Sequence, residues 1–291
     1  MPKFIPQALL ALCLCLLTGC ASADAPVSSA PETIPAAVTE AAPAPVQTLP
    51  ETQAPEPEST EAAPEETLEE AGVLPEDAHD PVLAPPEAEE GPCHFFDDAA
   101  FIGDSISHTL MLHHTKTGDF GDAIFFVRGS LGVHNTQNKQ LTVFYQGQSL
   151  TPWEALAASG VNKVFIMLGM NDIGYYGIDD TMEKWETFLA HIRESCPDIQ
   201  VYIQAQTPMW SKGKKGLLTS ENIDLYNQRL QEFAEENDCH FLDVTPYLKD
   251  STNSLAKPYC SDFYVHMNYE GTAVWADFLK NYGAQQEKEN P

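Results

Sequence analysis

Between residue 21 and about residue 90 the chain has no lysine or arginine and almost no aromatics. Ala, Pro, Glu and Thr make up most of that stretch. Such a segment cannot bury enough apolar surface to offset the entropy of an ordered chain, so disorder is expected. Its prolines and like charges also stiffen and extend it. It carries 17 Asp and Glu between Asp24 and Glu90, which makes the formal charge of −28 mostly a property of this segment. That charge argues against nucleic acid or an anionic membrane surface as an electrostatic partner.

Other absences narrow the chemistry. Neither GxGxxG nor GxxxxGK followed by Ser or Thr occurs, so no nucleotide-binding loop is indicated. Cys93, Cys196, Cys239 and Cys260 lack CxxC spacing, which argues against a structural zinc site. Outside the cell one or two disulfides are open to them, with no pairing given by the sequence. The nine histidines show no metal-ligand pattern, and His108, His113 and His114 read as residues of a helix face. No metal and no cofactor are expected.

Long apolar runs are also lacking. The run from Ala8 to Leu17 is too short to span a bilayer, and with Lys3 before it reads as the core of a secretory signal. It ends in Leu17-Thr18-Gly19-Cys20, which resembles the lipobox of bacterial lipoproteins. The resemblance implies cleavage before Cys20 and lipid modification of that cysteine; the alternative is an ordinary signal peptide with an incidental cysteine. The expected organisation is a signal at 1–20, an acidic linker at 21–90 and one folded domain at 91–291. The mature protein would be extracytoplasmic, held to the bacterial cell membrane by acyl chains at Cys20.

What is present begins after the linker. About 200 residues are ample for one sizeable core. Ala99 to Ile102, Ile124 to Val127, Val164 to Leu168, Ile199 to Ala205 and Phe241 to Val244 read as short apolar strands. Between them lie helical patterns: His108 to His114, Thr151 to about Ser159, Asp180 to Cys196, Ser220 to Glu236 and about Tyr269 to Tyr282. Thr151-Pro152-Trp153-Glu154 supplies N-cap, N1 proline and capping-box glutamate in order. Leu141 to Tyr145 and Gln148 to Leu150 flank Gln146-Gly147 as a small surface hairpin. Apolar strands alternating with amphipathic helices predict a three-layer α/β/α domain around a parallel sheet of about five strands.

The junction Phe101-Ile102-Gly103-Asp104-Ser105 ends a strand on a glycine and delivers a serine to a helix N-terminus. Open α/β sheets place their sites at that edge, and helix N-terminal N–H groups favour developing negative charge. A serine needs a base and oxyanion donors to act as a nucleophile. Later junctions carry candidates for both. The second strand runs into Arg128-Gly129-Ser130-Leu131-Gly132, the third into Gly169-Met170-Asn171-Asp172, and Asp262 and His266 precede the last helix. In a doubly wound sheet these loops face one edge, so nucleophile, base, base-orienting acid and oxyanion donors converge.

This set resembles the SGNH subgroup of GDSL esterases and lipases, whose four blocks supply Ser, Gly, Asn and His in that chain order. The resemblance covers the chain from about Phe95 to the final helix. It implies a flavodoxin-like strand order 2-1-3-4-5. It also implies Ser105 as nucleophile, His266 as base and Asp262 as its orienting acid. The oxyanion hole would comprise the N–H of Ser105, the N–H of Gly132 (rather than Gly129) and the side chain of Asn171. One departure stands out. The family places its aspartate three residues before the histidine, and here the spacing is four, with Phe263 at the usual place. Asp104 and Asp172 read as structural, and Tyr175, Tyr176 and Trp210 as rim residues of a substrate groove.

The implied activity is hydrolysis of carboxylic esters, short-chain or O-acetyl, on cell-wall or other polysaccharide. The basic loop Trp210 to Gly216 suits an acidic glycan. Two alternatives remain open: a glycan O-acetyltransferase on the same scaffold, and a non-catalytic glycan-binding lipoprotein.

Overall fold

A computed structural model describes residues 78–289, except 88, 92, 139, 140, 214 and 215. The expected signal, its lipidation residue Cys20 and the linker through residue 77 lie outside the described residues, as do Lys214 and Lys215 of the basic loop.

Five parallel strands form the main sheet: β1 (Ala99–Gly103), β2 (Ile124–Val127), β5 (Lys163–Met167), β6 (Gln200–Gln204) and β7 (His240–Leu242). Their spatial order is β2-β1-β5-β6-β7, the expected 2-1-3-4-5 when only these strands are counted. Register is marked by one row of rings. Phe125, Phe101, Phe165, Tyr202 and His240 are successive cross-strand partners, and neighbouring rings stack at 4.4 to 5.0 Å. A one-residue slip in any strand would send its ring to the opposite face, so this ladder and the alternation of the pleat enforce the same pairing. Val164, Phe165, Ile166 and Met167 in the central β5 are all buried, as a strand covered on both faces requires.

Helices α1 (Ser105–Thr117), α2 (Pro152–Ser159), α3 (Met170–Tyr176), α4 (Ile178–Ser195), α5 (Ser220–Glu236), α6 (Thr245–Leu248) and α7 (Tyr269–Glu289) cover the sheet. Thr151 and Glu154 form the expected capping box on α2. The hairpin consists of β3 (Val143–Tyr145) and β4 (Gln148–Leu150). Its turn residues Gln146 and Gly147 both have positive φ (46° and 81°), the signature of a tight two-residue hairpin turn.

The structure departs from the sequence-based expectation at three places near the functional edge. Helix α1 starts at Ser105, not His108, because the Asp104 side chain caps it by accepting the Ile106 N–H at 2.9 Å. Helix α3 has no signature in the sequence, being too short, and interrupted by Gly174, to show a period. The third departure concerns the linker boundary. From Ala78 the chain already packs on the domain: the Val82 N–H donates to the Lys249 carbonyl (3.0 Å) and the Lys257 N–H to that of His79 (2.8 Å). His79 Nδ1 lies 2.6 Å from the buried Asp250 carboxylate. Composition alone marks residues 78–90 as linker-like; their hydrogen-bonding partners lie some 170 residues downstream.

Candidate active site

Each site residue sits at the carboxyl edge of a sheet strand or just before α7. Gly103 ends β1, and a Cβ there would collide with the Ser107 side chain. Glycine leaves room there for the first turn of α1, of which Ser105 is the first residue. At that position a backbone N–H has no intrahelical acceptor and points outward.

Ser105 Oγ lies 3.0 Å from His266 Nε2, and His266 Nδ1 lies 2.6 Å from Asp262 Oδ2. An ionised carboxylate only accepts, so Nδ1 carries a proton towards Asp262, and neutral Nε2 is left to accept from the serine hydroxyl. Burial pushes the Asp262 carboxyl up. Hydrogen bonds from the His266 ring and from the backbone N–H groups of His266 and Tyr264 outweigh it and hold the carboxyl below its ordinary value.

The four-residue spacing is absorbed locally. Asp262 Oδ1 accepts the N–H groups of Tyr264 (2.9 Å), Val265 (3.1 Å) and His266 (3.1 Å), which curls the loop around the carboxylate. Phe263, the extra residue, takes φ of 53°, an uncommon left-handed conformation for a bulky side chain. Its ring packs edge-on against Trp210 at 5.4 Å, and the Trp210 N–H donates to the Tyr264 carbonyl at 2.7 Å. Trp210 therefore braces this loop, and its ring also meets that of His79 at 5.0 Å.

Asn171 is the second residue of α3. Its Nδ2 donates to Asp104 Oδ2 at 2.7 Å and to the Leu131 carbonyl at 3.2 Å. Asp104 thus caps α1 with one oxygen and holds the carboxamide with the other. It is fully buried, and that desolvation raises its pKa to about 6. Gly132 lies against Asp172: a Cβ at 132 would fall on the carboxylate, which accepts the N–H groups of Val133 and His134 at 3.1 Å each. Both aspartates are structural, as expected. The Gly132 N–H donates to Asn135 Oδ1 at 3.0 Å, whereas Gly129 has open space around it.

A cleft of about 430 Å³ opens beside Asn171. Tyr175, Tyr176 and Tyr264 line it, with Ser130 and Asn135 on the block-two side. Tyr175 and Tyr176 thus sit at the groove, on α3. Trp210 is absent from this lining. The structure accordingly brings Ser105, His266, Asp262, Asn171 and Gly132 to one edge. Among the described residues no group of three or more His, Cys, Asp or Glu side chains could hold a metal ion.

Sequence reasoning missed the layer beneath Asn171. Gln206 is fully buried and bonds to the Met170 N–H and the Leu168 carbonyl, and Asn227 pairs with the Gln206 backbone. A buried Gln after an apolar strand was the only signal available, and it does not reveal its partner.

A parallel α/β/α sheet with a serine, a histidine and an aspartate chained at its carboxyl edge defines a hydrolase of the SGNH type, acting on carboxylic esters. The chain belongs to the GDSL-like lipase/acylhydrolase family, whose model matches residues 101–274. Among solved structures, a Bacteroides fragilis protein provisionally described as an acylhydrolase shares 18% identity with a TM-score of 0.53, over 69% of this chain and 91% of its own. A GDSL-like lipase from Bacteroides thetaiotaomicron shares 17% at the same TM-score, over 65% and 88%. A Streptococcus pneumonia protein, provisionally described as a platelet activating factor, shares 20% at 0.51, over 71% and 87%. At these identities the likeness is one of fold. A comparison with curated protein sequences finds no match.

Proposed function

We propose that the chain is a serine esterase that hydrolyses short-chain or O-acetyl esters through an acyl-enzyme on Ser105. The observation that carries this reading is the continuous hydrogen-bonded chain from Ser105 Oγ through the His266 ring to Asp262, at 3.0 and 2.6 Å. In it, His266 Nε2 takes the hydroxyl proton as Oγ attacks the acyl carbonyl. The resulting oxyanion is met by the N–H of Ser105, the N–H of Gly132 and the Asn171 carboxamide. The last two already donate to Asn135, Asp104 and Leu131. The oxyanion displaces the weaker of these acceptors, being charged and so the stronger partner. His266 then returns its proton to the leaving alcohol, and water releases the acid by the same steps in reverse.

The lipobox at Cys20 and the acidic linker support a location outside the cytoplasm, tethered to the cell membrane. The cleft beside Asn171 is open and mixes tyrosines and polar side chains with Met170, Leu218 and Val265; its three tyrosine rings support an acylated glycan as substrate.

Hydrolysis of p-nitrophenyl acetate, butyrate and octanoate by the parent and by Ser105→Ala tests the reading. Activity that falls with chain length and disappears in Ser105→Ala is expected. A folded parent inert on all three, and unlabelled by a fluorophosphonate, would overturn it.

A further inference from the structure

We infer that Gln206 is a positioning residue for the oxyanion site: it sets the turn that aims the Asn171 carboxamide. This rests on the reading of Asn171 as an oxyanion donor and adds the element that holds it in place.

The turn Leu168-Gly169-Met170 carries the chain out of β5 and into α3. Its centre is unusual, because Gly169 has φ of 134°, and a Cβ there would overlap the Tyr226 hydroxyl. Glycine adopts such a φ freely and any other residue would be strained there, so the backbone itself does not fix the turn and its neighbours must. Gln206, with no exposed surface, spans it from below. Its Oε1 accepts the Met170 N–H at 3.2 Å, and its Nε2 donates to the Leu168 carbonyl at 3.1 Å. Both ends of one carboxamide are thus committed to the two residues flanking Gly169. The Met170 N–H opens α3 and has no acceptor within the helix, so Gln206 meets a need the helix cannot.

Gln206 is itself held from α5. Asn227 Oδ1 accepts the Gln206 N–H at 2.7 Å, and Asn227 Nδ2 donates to the Gln206 carbonyl at 2.9 Å. The neighbouring Tyr226 hydroxyl donates to the same Leu168 carbonyl at 2.9 Å and accepts from Trp185 Nε1 at 2.6 Å. A fixed line of bonds therefore runs from α5 through Gln206 to the first residue of α3, and Asn171 is the next residue. Oxyanion donors work because they are in place before charge develops. A shift of about 1 Å at such a group costs on the order of 10²-fold in rate.

Gln204 supplies an internal control. It lies two residues earlier and is also buried, but its Oε1 accepts from Trp275 Nε1 (2.9 Å) on α7, away from the turn.

The test compares Gln206→Leu, Gln204→Leu, Asn171→Ala and the double variant Asn171→Ala/Gln206→Leu, reading kcat, KM and Tm with p-nitrophenyl acetate. Gln206→Leu should lower kcat by about 10- to 100-fold with KM within about twofold. Gln204→Leu should lose Tm but keep its kcat. In the Asn171→Ala background, Gln206→Leu should cost no more than about threefold, because the group it positions is gone. Should Gln206→Leu fail to fold, Gln206→Glu stands in at pH 6, where burial keeps the acid neutral. It then offers an acceptor to Met170 and a hydroxyl to Leu168, and should stay within about threefold of the parent. Equal kcat losses in Gln206→Leu and Gln204→Leu, a full additional loss in the double variant, or a Gln206→Glu as impaired as Asn171→Ala would each overturn the inference. If Asn171→Ala alone keeps its kcat, the oxyanion reading of Asn171 fails first and takes the inference with it.

Discussion

Asparagine in place of Asp262 separates the two tasks of that carboxylate. Oδ1 accepts three backbone N–H groups at 2.9 to 3.1 Å and so shapes the loop, while Oδ2 meets His266 Nδ1 at 2.6 Å. Asp262→Asn keeps an oxygen for the loop and turns an NH₂ towards Nδ1. The ring must then move its proton to Nε2, which can no longer accept from Ser105. A change of this kind in a serine triad costs on the order of 10⁴ in kcat, or about 5.5 kcal/mol of transition-state stabilisation. The fold should barely notice, because the three loop bonds survive. Asp262→Ala loses those bonds as well, roughly 2 kcal/mol in sum and about 4–8 °C in Tm for a domain of this size. Turnover of p-nitrophenyl butyrate beside thermal melting reads both quantities on one sample. An Asn variant retaining more than about a tenth of parental kcat would refute the orienting role. Identical melting of the Asn and Ala variants would refute the account of the loop.

Three further outcomes are expected. Gly132→Ala drives a methyl into the Asp172 carboxylate, so it should destabilise by about 3 kcal/mol in urea; Gly132→Ala/Asp172→Ala should unfold later than the sum of its singles, and strict additivity would show that the close approach does not exist. Asp104 is raised by burial from 3.8 to about 6, so between those pH values the folded state holds a proton that the unfolded state has released. Stability from this group is therefore greatest below about pH 4 and declines by about 3 kcal/mol as pH rises through 6. Relative to Asp104→Asn, which keeps the other titrating groups, the parent's urea midpoint should decline from pH 4 to 7; parallel curves would contradict it. Starting the chain at Gly91 removes the His79–Asp250 pair and the backbone bonds to Lys249 and Lys257, so Tm should fall by roughly 4–8 °C relative to a chain starting before Ala78. An unchanged Tm would mean that residues 78–90 contribute nothing to the fold.

Much of the architecture is legible along the chain because it is local. Five apolar runs such as Val164 to Leu168, separated by amphipathic stretches, specify a covered parallel sheet wherever they occur. Thr151-Pro152-Trp153-Glu154 announces its helix within four residues, and Gln146-Gly147 its turn. Gly103, Ser105 and Asn171 at strand-to-helix junctions, and His266 just before the last helix, are also visible, since these residue types at those places imply chemistry before any coordinate is known.

Tertiary structure decides what depends on residues far apart in number. The four-residue gap between Asp262 and His266 is neutral in sequence. It closes on Nδ1 because Asp262 Oδ1 gathers three backbone N–H groups around Phe263 at positive φ, a loop that Trp210, some fifty positions away, packs against. Composition assigns residues 78–90 to the linker, and only the partners Asp250, Lys249 and Trp210 reassign them to the domain. Nothing near Asn171 in the chain names Asp104, Gln206 or Asn227, yet these hold its carboxamide and the turn before it. Pattern reports which faces are apolar. Which buried polar groups satisfy one another is a matter of three-dimensional pairing, and at this site that pairing sets the geometry.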